Sequence, residues 1–307
     1  MIKSIDEQYI ALAKSIIENG EWKENRTGYR TLSQIGGYLK IDCSESFPLL
    51  TTKKVFWKAA FAEMLGFIRA YDNAEDFRKI GCNVWDKDAN ENQDWLNNPN
   101  RRGTDDLKYI YGVQWRYWST AEIDQLQMVV DDLKEGIDTR REIVTAWNPQ
   151  DMEHNLRGGK TKIPSQMALP PCHILMQWHL TKNKRALDLS VYQRSWDAFL
   201  GAPFNIAQYA FLLHLISGIT NKKPNILHFH PGDVHIYEPH IPLIKNQIAR
   251  VPKKDKIKID IDFSEIKYLS DFDKISLNNI DDWVKIHNYN PHPAIKGVMY
   301  TTPNKKR

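Results

Sequence analysis

The feature that most limits how this chain can fold is a pair of alternating stretches joined by a short polar run. In residues 172–180 the side chains Cys172, Ile174, Met176, Trp178 and Leu180 fall on one face, and residues 187–195 repeat the alternation. The polar run 181–186 reads as the turn of an antiparallel hairpin. If Leu180 pairs with Leu187, Cys172 lies across from Ser195 and next to Arg194, within about two positions because the turn type is open. An adjacent guanidinium favours the thiolate, the nucleophilic form of cysteine. The same parity also allows Cys172 to be a small core residue on the apolar face, and spacing leaves both readings open.

The rest of the chain mixes helix and strand signals. Ser4 and Glu7 have the spacing of a capping box before a helix with Ile5, Tyr9, Leu12 and Ile16 on its apolar side, ending near Gly20. Residues 31–41 are strand-like, and 57–71 read as a second helix with Trp57, Phe61, Met64, Leu65 and Ile68 on its apolar arc. Glu63 falls on the flank of that arc beside Ala59, Gly66 and Ala70, small neighbours that leave room for a ligand; it is a functional carboxylate or an ordinary boundary residue. The aromatic run 109–118 reads as the start of a strand. Residues 120–133 read as a third helix with Ile123, Leu126, Val129, Val130 and Leu133 inward, closed by Gly136.

Arg140 and Arg141 precede a strand at 143–147, the apolar 203–220 reads as a buried helix with Asn205 in its first turn, and 226–237 as another strand. Two polar stretches interrupt this pattern: a long loop at 90–106 with little regular structure, and an insertion at 153–166, with Gly158 and Gly159, expected to be exposed and mobile. Strands and helices do not alternate as βαβ units, so the expected class is α+β: one domain over 1–307 with a mixed, mostly antiparallel sheet packed with helices. Neither a Walker loop nor a glycine-rich dinucleotide fingerprint is present.

Composition narrows the setting. With 307 residues, 42% of them hydrophobic, the chain can bury a large core. The three cysteines, Cys43, Cys82 and Cys172, have neither metal nor disulfide spacing and are expected as free thiols in a reducing compartment. No window approaches about 18 consecutive apolar residues and no signal-peptide pattern opens the chain, so a cytoplasmic protein without a membrane span is expected. His228, His230, Asp233, His235 and His240 are spaced too loosely for a strong zinc signal, and no metal is expected. The net charge of +4 is mild, and basic residues such as Lys305, Lys306 and Arg307 do not join a larger cluster, so no nucleic-acid partner is expected.

The densest polar string is Tyr192-Gln193-Arg194-Ser195-Trp196-Asp197, followed by Phe199-Leu200-Gly201 and Pro203-Phe204-Asn205. Such a run is costly to bury without a ligand. Arg194 and Ser195 suit a phosphate, and Asp197 and Asn205 suit a base or amide edge. Further strings join it: Arg26-Thr27-Gly28, Thr51-Thr52-Lys53-Lys54, Trp85-Asp86, Tyr111-Gly112 with Gln114-Trp115, Arg140-Arg141, Ala146-Trp147-Asn148-Pro149, Pro170-Pro171-Cys172-His173, and Gly232-Asp233 with His235-Ile236-Tyr237.

In these ordered strings the chain resembles the thymidylate synthase family over nearly its whole length. The resemblance implies reductive methylation of deoxyuridylate to thymidylate (dUMP to dTMP), with 5,10-methylenetetrahydrofolate supplying both carbon and hydride. It implies Cys172 as nucleophile, Arg194, Arg26 and Ser195 as the phosphate side of the nucleotide site, and Gln193 in the same string as a substrate-binding residue. Arg140 and Arg141 would reach the same phosphate from the partner in a homodimer. Asn205 would read the uracil edge, His235 and Tyr237 the sugar hydroxyl, and Glu63 would relay protons, with Tyr111 and His173 in its network. Asp197, Trp85, Lys53, Gly201 and Phe204 would face the folate. A deoxyuridylate 5-hydroxymethylase, in which water replaces hydride, uses the same covalent chemistry.

The chain departs from the family pattern in three places. Asp88 stands where a second tryptophan often follows Trp85; the 153–166 insertion is unusual; and Met299-Tyr300-Thr301 continues to Arg307, a 300–307 extension. The terminal carboxylate that usually helps close the site is therefore expected elsewhere.

Overall fold

The computed structural model describes residues 2–118, 123–156 and 161–300. One sheet holds β1 (Glu21–Lys23), β2 (Thr31–Ile35), β3 (Leu39–Asp42), β4 (Ile143–Thr145), β5 (His173–Thr181), β6 (Ala186–Asp197) and β7 (Lys223–Tyr237). Its order is β1-β2-β7-β6-β5-β4, with β3 pairing β7 beside β2. The β6–β7 pair is parallel and every other pair antiparallel. Around the sheet lie α1 (Ile5–Asn19), α2 (Trp57–Ile68), α3 (Gln125–Glu135) and α4 (Gly201–Ile219). The fold is thus a single α+β domain with a mixed, mostly antiparallel sheet.

The hairpin keeps its anticipated register for most of its length. Leu180 pairs with Leu187, and the ladder runs on to Leu175 opposite Tyr192. Between His173 and Leu175 one extra residue enters β5, so His173 pairs with Gln193. Cys172 consequently faces Arg194 rather than Ser195, its carbonyl accepting the Arg194 N–H at 2.9 Å. The bulge also exchanges the faces. Met176, Trp178 and Leu180 stay in the core and His173 joins them, while Cys172 turns out of it and is half-buried. The core reading of Cys172 fails for that reason.

Strand-like residues 31–41 are two strands, because Gly36 takes a left-handed φ of 79° and the chain restarts at Leu39 on the same neighbour. The capping box at Ser4 and Glu7 is formed. Asp6, the next residue but one, is buried and accepts from the backbone N–H and hydroxyl of both Thr51 and Thr52, which fixes the segment leading into α2. Helix α4 is buried all round, its Phe211 ring stacked on Phe61 of α2 at 3.8 Å. By length and composition α4 could cross a membrane, contrary to the expectation for this chain, but 78% of its apolar window is buried inside the domain.

Other elements differ from the sequence expectation. The run 109–118 is helical over Tyr111–Arg116, because Tyr111, Val113, Gln114 and Trp115 are all buried by packing from several sides, which overrides strand propensity. Gly112 makes that packing possible; a Cβ there would lie 2.2 Å from the Phe67 carbonyl of α2. The third helix begins only after its Asp124 cap, Ile123 is exposed, and residues 119–122 lie outside the described residues. The space beside Gly66 is filled by the Phe77 ring, not left for a ligand.

Segment 90–106 contains a turn of helix, Gln93–Leu96, and is pinned by Trp95 Nε1 donating to the Asp106 carbonyl at 2.7 Å and by Arg78 with Asp105 at 2.7 Å. The described part of 153–166 forms a small hairpin, His154–Asn155 with Lys162–Ile163; Asn98 Nδ2 donates to the Ser165 carbonyl at 3.0 Å, tying it to the first segment. Gly158, Gly159 and the tail from Thr301 to Arg307 lie outside the described residues.

Because the obstacle at Gly112 is backbone rather than a movable side chain, Gly112→Ala should lose about 2 kcal/mol of stability by urea unfolding. Unchanged stability would contradict the close approach of this helix to α2.

Candidate active site

Strands β6 and β7 run parallel and end together, with Ser195 beside Asp233 and Asp197 beside His235. At that end a cavity of about 760 Å3 opens between the sheet, the first turn of α4 and the flank of α2. Its volume falls within the usual range for small-molecule sites. Cys172, Glu63, Arg194, Tyr111, Asn205, Arg26, Ser195, Asp197, His235, Tyr237, Trp85, Gly201 and Phe204 all line it.

Cys172 is held from three directions. Arg194 Nε donates to the Pro171 carbonyl at 2.9 Å and Nη2 to the Pro170 carbonyl at 3.0 Å. The guanidinium is thereby fixed at the turn that carries the sulfur, with the Trp147 ring 5.7 Å from its Cζ. The Cys172 N–H donates to Tyr111 Oη at 3.0 Å. Burial raises the Tyr111 hydroxyl well above the usual phenol range, so it stays a neutral group beside the thiol. His173, turned inward by the bulge, contacts Tyr209 Oη through Nδ1 at 3.0 Å, and burial pushes it down to about 3.

Asn205 is oriented by a polar chain. Trp196 Nε1 donates to Asn205 Oδ1 at 3.1 Å, Asn205 Nδ2 to Gln208 Oε1 at 3.0 Å, and Gln208 Nε2 to Glu63 Oε2 at 2.5 Å. Burial raises Glu63 to about 7, against the lowering effect of Gln208 and the Trp85 indole. A carboxyl with that affinity for protons can both take and return one near neutral pH.

Across the cavity, Lys23 pairs with Asp233 at 2.8 Å and Asp233 with His235 Nδ1 at 3.2 Å. Burial raises Asp233, but His235 and Lys23 outweigh it and hold the carboxyl at about 2. Tyr237, raised to about 12 by burial, donates its hydroxyl to the Tyr300 carbonyl at 3.1 Å. The Tyr300 ring lies 4.4 Å from Tyr29 and 5.2 Å from Tyr237, and His240 Nε2 meets the Val298 carbonyl at 3.0 Å. Segment 297–300 is therefore laid along the cavity mouth by side chains.

Four anticipated residues stand off this wall. Gln193 is fully buried, with neither side-chain polar atom partnered. Lys53 is buried too; its ammonium donates to the Phe199 carbonyl and lies 3.8 Å from the Phe199 ring centroid, and burial lowers it to about 8. Arg140 and Arg141 are exposed outside the cavity, Arg140 with a left-handed φ of 69°. The strand histidines are engaged separately, His228 with Tyr38 at 2.8 Å and Asp188 at 3.5 Å, and no group of three or more His, Cys, Asp or Glu suited to a metal occurs among the described residues.

Sequence reasoning missed Gln208, although a fully buried polar residue one turn after Asn205 in an apolar helix was a visible signal. It also missed Lys23, whose role depends on a strand pairing that no local pattern shows.

The thymidylate synthase family profile matches residues 7–301. The chain is 41% identical to a thymidylate synthase from Shewanella sediminis, covering 94% of this chain and 98% of the relative. It is 40% identical to one from Photobacterium profundum with the same coverage, and 40% identical to one from Bordetella parapertussis over 80% of this chain and 84% of the relative.

Glu63 keeps its proton to about pH 7 in the fold but loses it near its ordinary 4.5 when unfolded. Below 4.5 both states are protonated; between the two values stability falls as pH rises, and above 7 the full penalty stands. Glu63→Gln should therefore be more stable than the parent by about 2 kcal/mol at pH 8 and equal to it at pH 4. A gain that does not change with pH would contradict the assignment.

Proposed function

Because the chain belongs to the thymidylate synthase family, we propose that this cavity binds deoxyuridylate and 5,10-methylenetetrahydrofolate with Cys172 as nucleophile. The enzyme is a methyltransferase of nucleotide biosynthesis that makes thymidylate by reductive methylation. The observation that carries the reading is the bulge in β5, which directs Cys172 into the cavity while Arg194 is tied to the two carbonyls before it.

The thiolate sulfur adds to ring carbon 6 of the pyrimidine, and the displaced electron pair makes ring carbon 5 nucleophilic. Arg194, tied to the Pro170 and Pro171 carbonyls, places a cation at the turn that carries the sulfur. Arg194, Arg26 and Ser195 hold the phosphate, with Gln193 packed beneath that strand as support. Asn205 presents an amide to the uracil edge. Trp196 and Gln208 fix which end donates, so a base with the reverse pattern leaves buried groups unpaired. His235 and Tyr237 take the sugar hydroxyl. Glu63 removes the proton from ring carbon 5 through ordered water, aided by Tyr111 and His173. Loss of that proton and release of the sulfur restore the aromatic base.

The co-substrate supplies the one-carbon unit and the hydride. The cavity suits it: Trp85 and Phe204 give flat apolar walls, Gly201 permits close approach, and Asp197 offers an acceptor. Lys53 would serve its anionic tail after leaving the Phe199 carbonyl. The relatives' names favour hydride over water as the final donor, and so the synthase over the hydroxymethylase.

Arg140 and Arg141, exposed and outside their own cavity, are read as reaching the phosphate of the partner in a homodimer. Three free cysteines support a cytoplasmic setting. Nothing in this chemistry calls for a metal, nucleic acid or membrane.

Cys172→Ala and the double variant Arg140→Ala/Arg141→Ala should each retain under about 1% of parental turnover, the first still binding deoxyuridylate. Unfolded and refolded together, they should regain about a quarter of parental activity, since half the dimers are mixed and each mixed dimer has one intact site. Turnover by Cys172→Ala alone would remove the nucleophile, and no recovery on mixing would remove the shared site.

A further inference from the structure

Strand β1 is a three-residue edge strand, and its last residue, Lys23, stands opposite Thr31 of β2, which itself stands opposite Tyr237 of β7. From there the Lys23 side chain reaches Asp233, and both line the cavity with His235. The two oxygens of Asp233 are divided between two partners. Oδ2 accepts from the Lys23 ammonium at 2.8 Å, and Oδ1 meets His235 Nδ1 at 3.2 Å. Burial raises Asp233, yet His235 and Lys23 hold it at about 2, so the carboxylate is an anion that only accepts. The imidazole proton therefore sits on Nδ1, which leaves Nε2 of the neutral ring as an acceptor. The Lys23 and Asp233 side chains are 38% and 31% exposed, and an ion pair that open does little for the fold. Its place on the cavity wall serves what the cavity binds.

The deoxyribose of deoxyuridylate carries one free hydroxyl, on carbon 3′, whose proton needs an acceptor. His235 Nε2 is the acceptor that Asp233 prepares. We propose that Lys23 is a positioning residue for recognition of the 3′-hydroxyl: it fixes the Asp233 carboxylate, which in turn holds His235 with Nε2 turned to the sugar. This rests on the reading of the cavity as the deoxyuridylate site. Lys23 acts through two other side chains and itself touches no part of the nucleotide. Without its ammonium, Oδ2 loses its partner, and a carboxylate open to water on that side is free to rotate away from Nδ1. The ring then loses the hydrogen bond that sets both its orientation and its tautomer. The cost falls on nucleotides that present the hydroxyl and spares those that lack it.

The test measures kcat/KM for deoxyuridylate and for 2′,3′-dideoxyuridylate, which lacks only that hydroxyl, in parent, Lys23→Met, Lys23→Arg and Asp233→Asn, together with ligand-free thermal melts. The parent should prefer the hydroxylated nucleotide by about 50-fold. Lys23→Met should cut that preference about tenfold through deoxyuridylate alone, with the dideoxy nucleotide within about twofold of parent and melting unchanged. Lys23→Arg, which can still pair with Asp233, should restore most of the preference, and Asp233→Asn should lower it at least as far as Lys23→Met. An unaltered preference in Lys23→Met would overturn the assignment. So would equal losses on both nucleotides with a lowered melting temperature, the mark of a structural role. A parent that does not turn over deoxyuridylate would remove the nucleotide reading and this role with it, whereas an active, hydroxyl-selective parent with an unaltered Lys23→Met removes only the role of Lys23.

Discussion

One additional residue in β5, between His173 and Leu175, determines where the sulfur points. Without it the alternation that buries Met176, Trp178 and Leu180 would carry Cys172 into the same core. With it Cys172 turns out of the core into the cavity, and His173 is buried at the cavity wall. The thiol then stands at the turn that Arg194 binds through the Pro170 and Pro171 carbonyls. Proline contributes no N–H to a ladder, so the turn ends the strand while leaving its carbonyls open to the guanidinium. The proposed catalysis depends on a local break in regular pairing, held in place by a long and otherwise regular ladder.

Helix α4 joins stability to recognition. Its body is core, stacked through Phe211 on Phe61 of α2, and its first turn carries Gly201, Phe204 and Asn205 into the cavity. The Trp196–Asn205–Gln208–Glu63 chain runs from the sheet through α4 to α2, so the group proposed to read the base and the group proposed to move a proton share one hydrogen-bonded network. A rigid amide discriminates because neither end can turn without losing a buried partner.

Much of this was legible in the sequence, and the exceptions have physical reasons. The hairpin, its Leu180–Leu187 register, the capping box at Ser4 and the buried helix followed from periodicity. The bulge did not, because an inserted residue leaves the composition of a strand unchanged and only pairing reveals it. Tyr111 and Gly112 looked strand-like because local propensity cannot anticipate burial on several sides. Gly66 beside Glu63 suggested room for a ligand, but Phe77 occupies it. The closing segment shows a further limit. Tyr300 lies against Tyr29 and Tyr237, an arrangement that spacing could not foretell across so long a chain separation.

The account stands or falls on the sulfur of Cys172 bonding to ring carbon 6 of the nucleotide. Incubation with 5-fluorodeoxyuridylate and methylenetetrahydrofolate, followed by mass spectrometry of the intact protein and its peptides, tests this directly, because fluorine at carbon 5 cannot leave as a proton does. The account predicts a stable adduct of protein, nucleotide and one-carbon folate on the peptide that contains Cys172, absent from Cys172→Ala. An unmodified Cys172 peptide in enzyme that turns over deoxyuridylate, or an adduct on Cys43 or Cys82 instead, would contradict it.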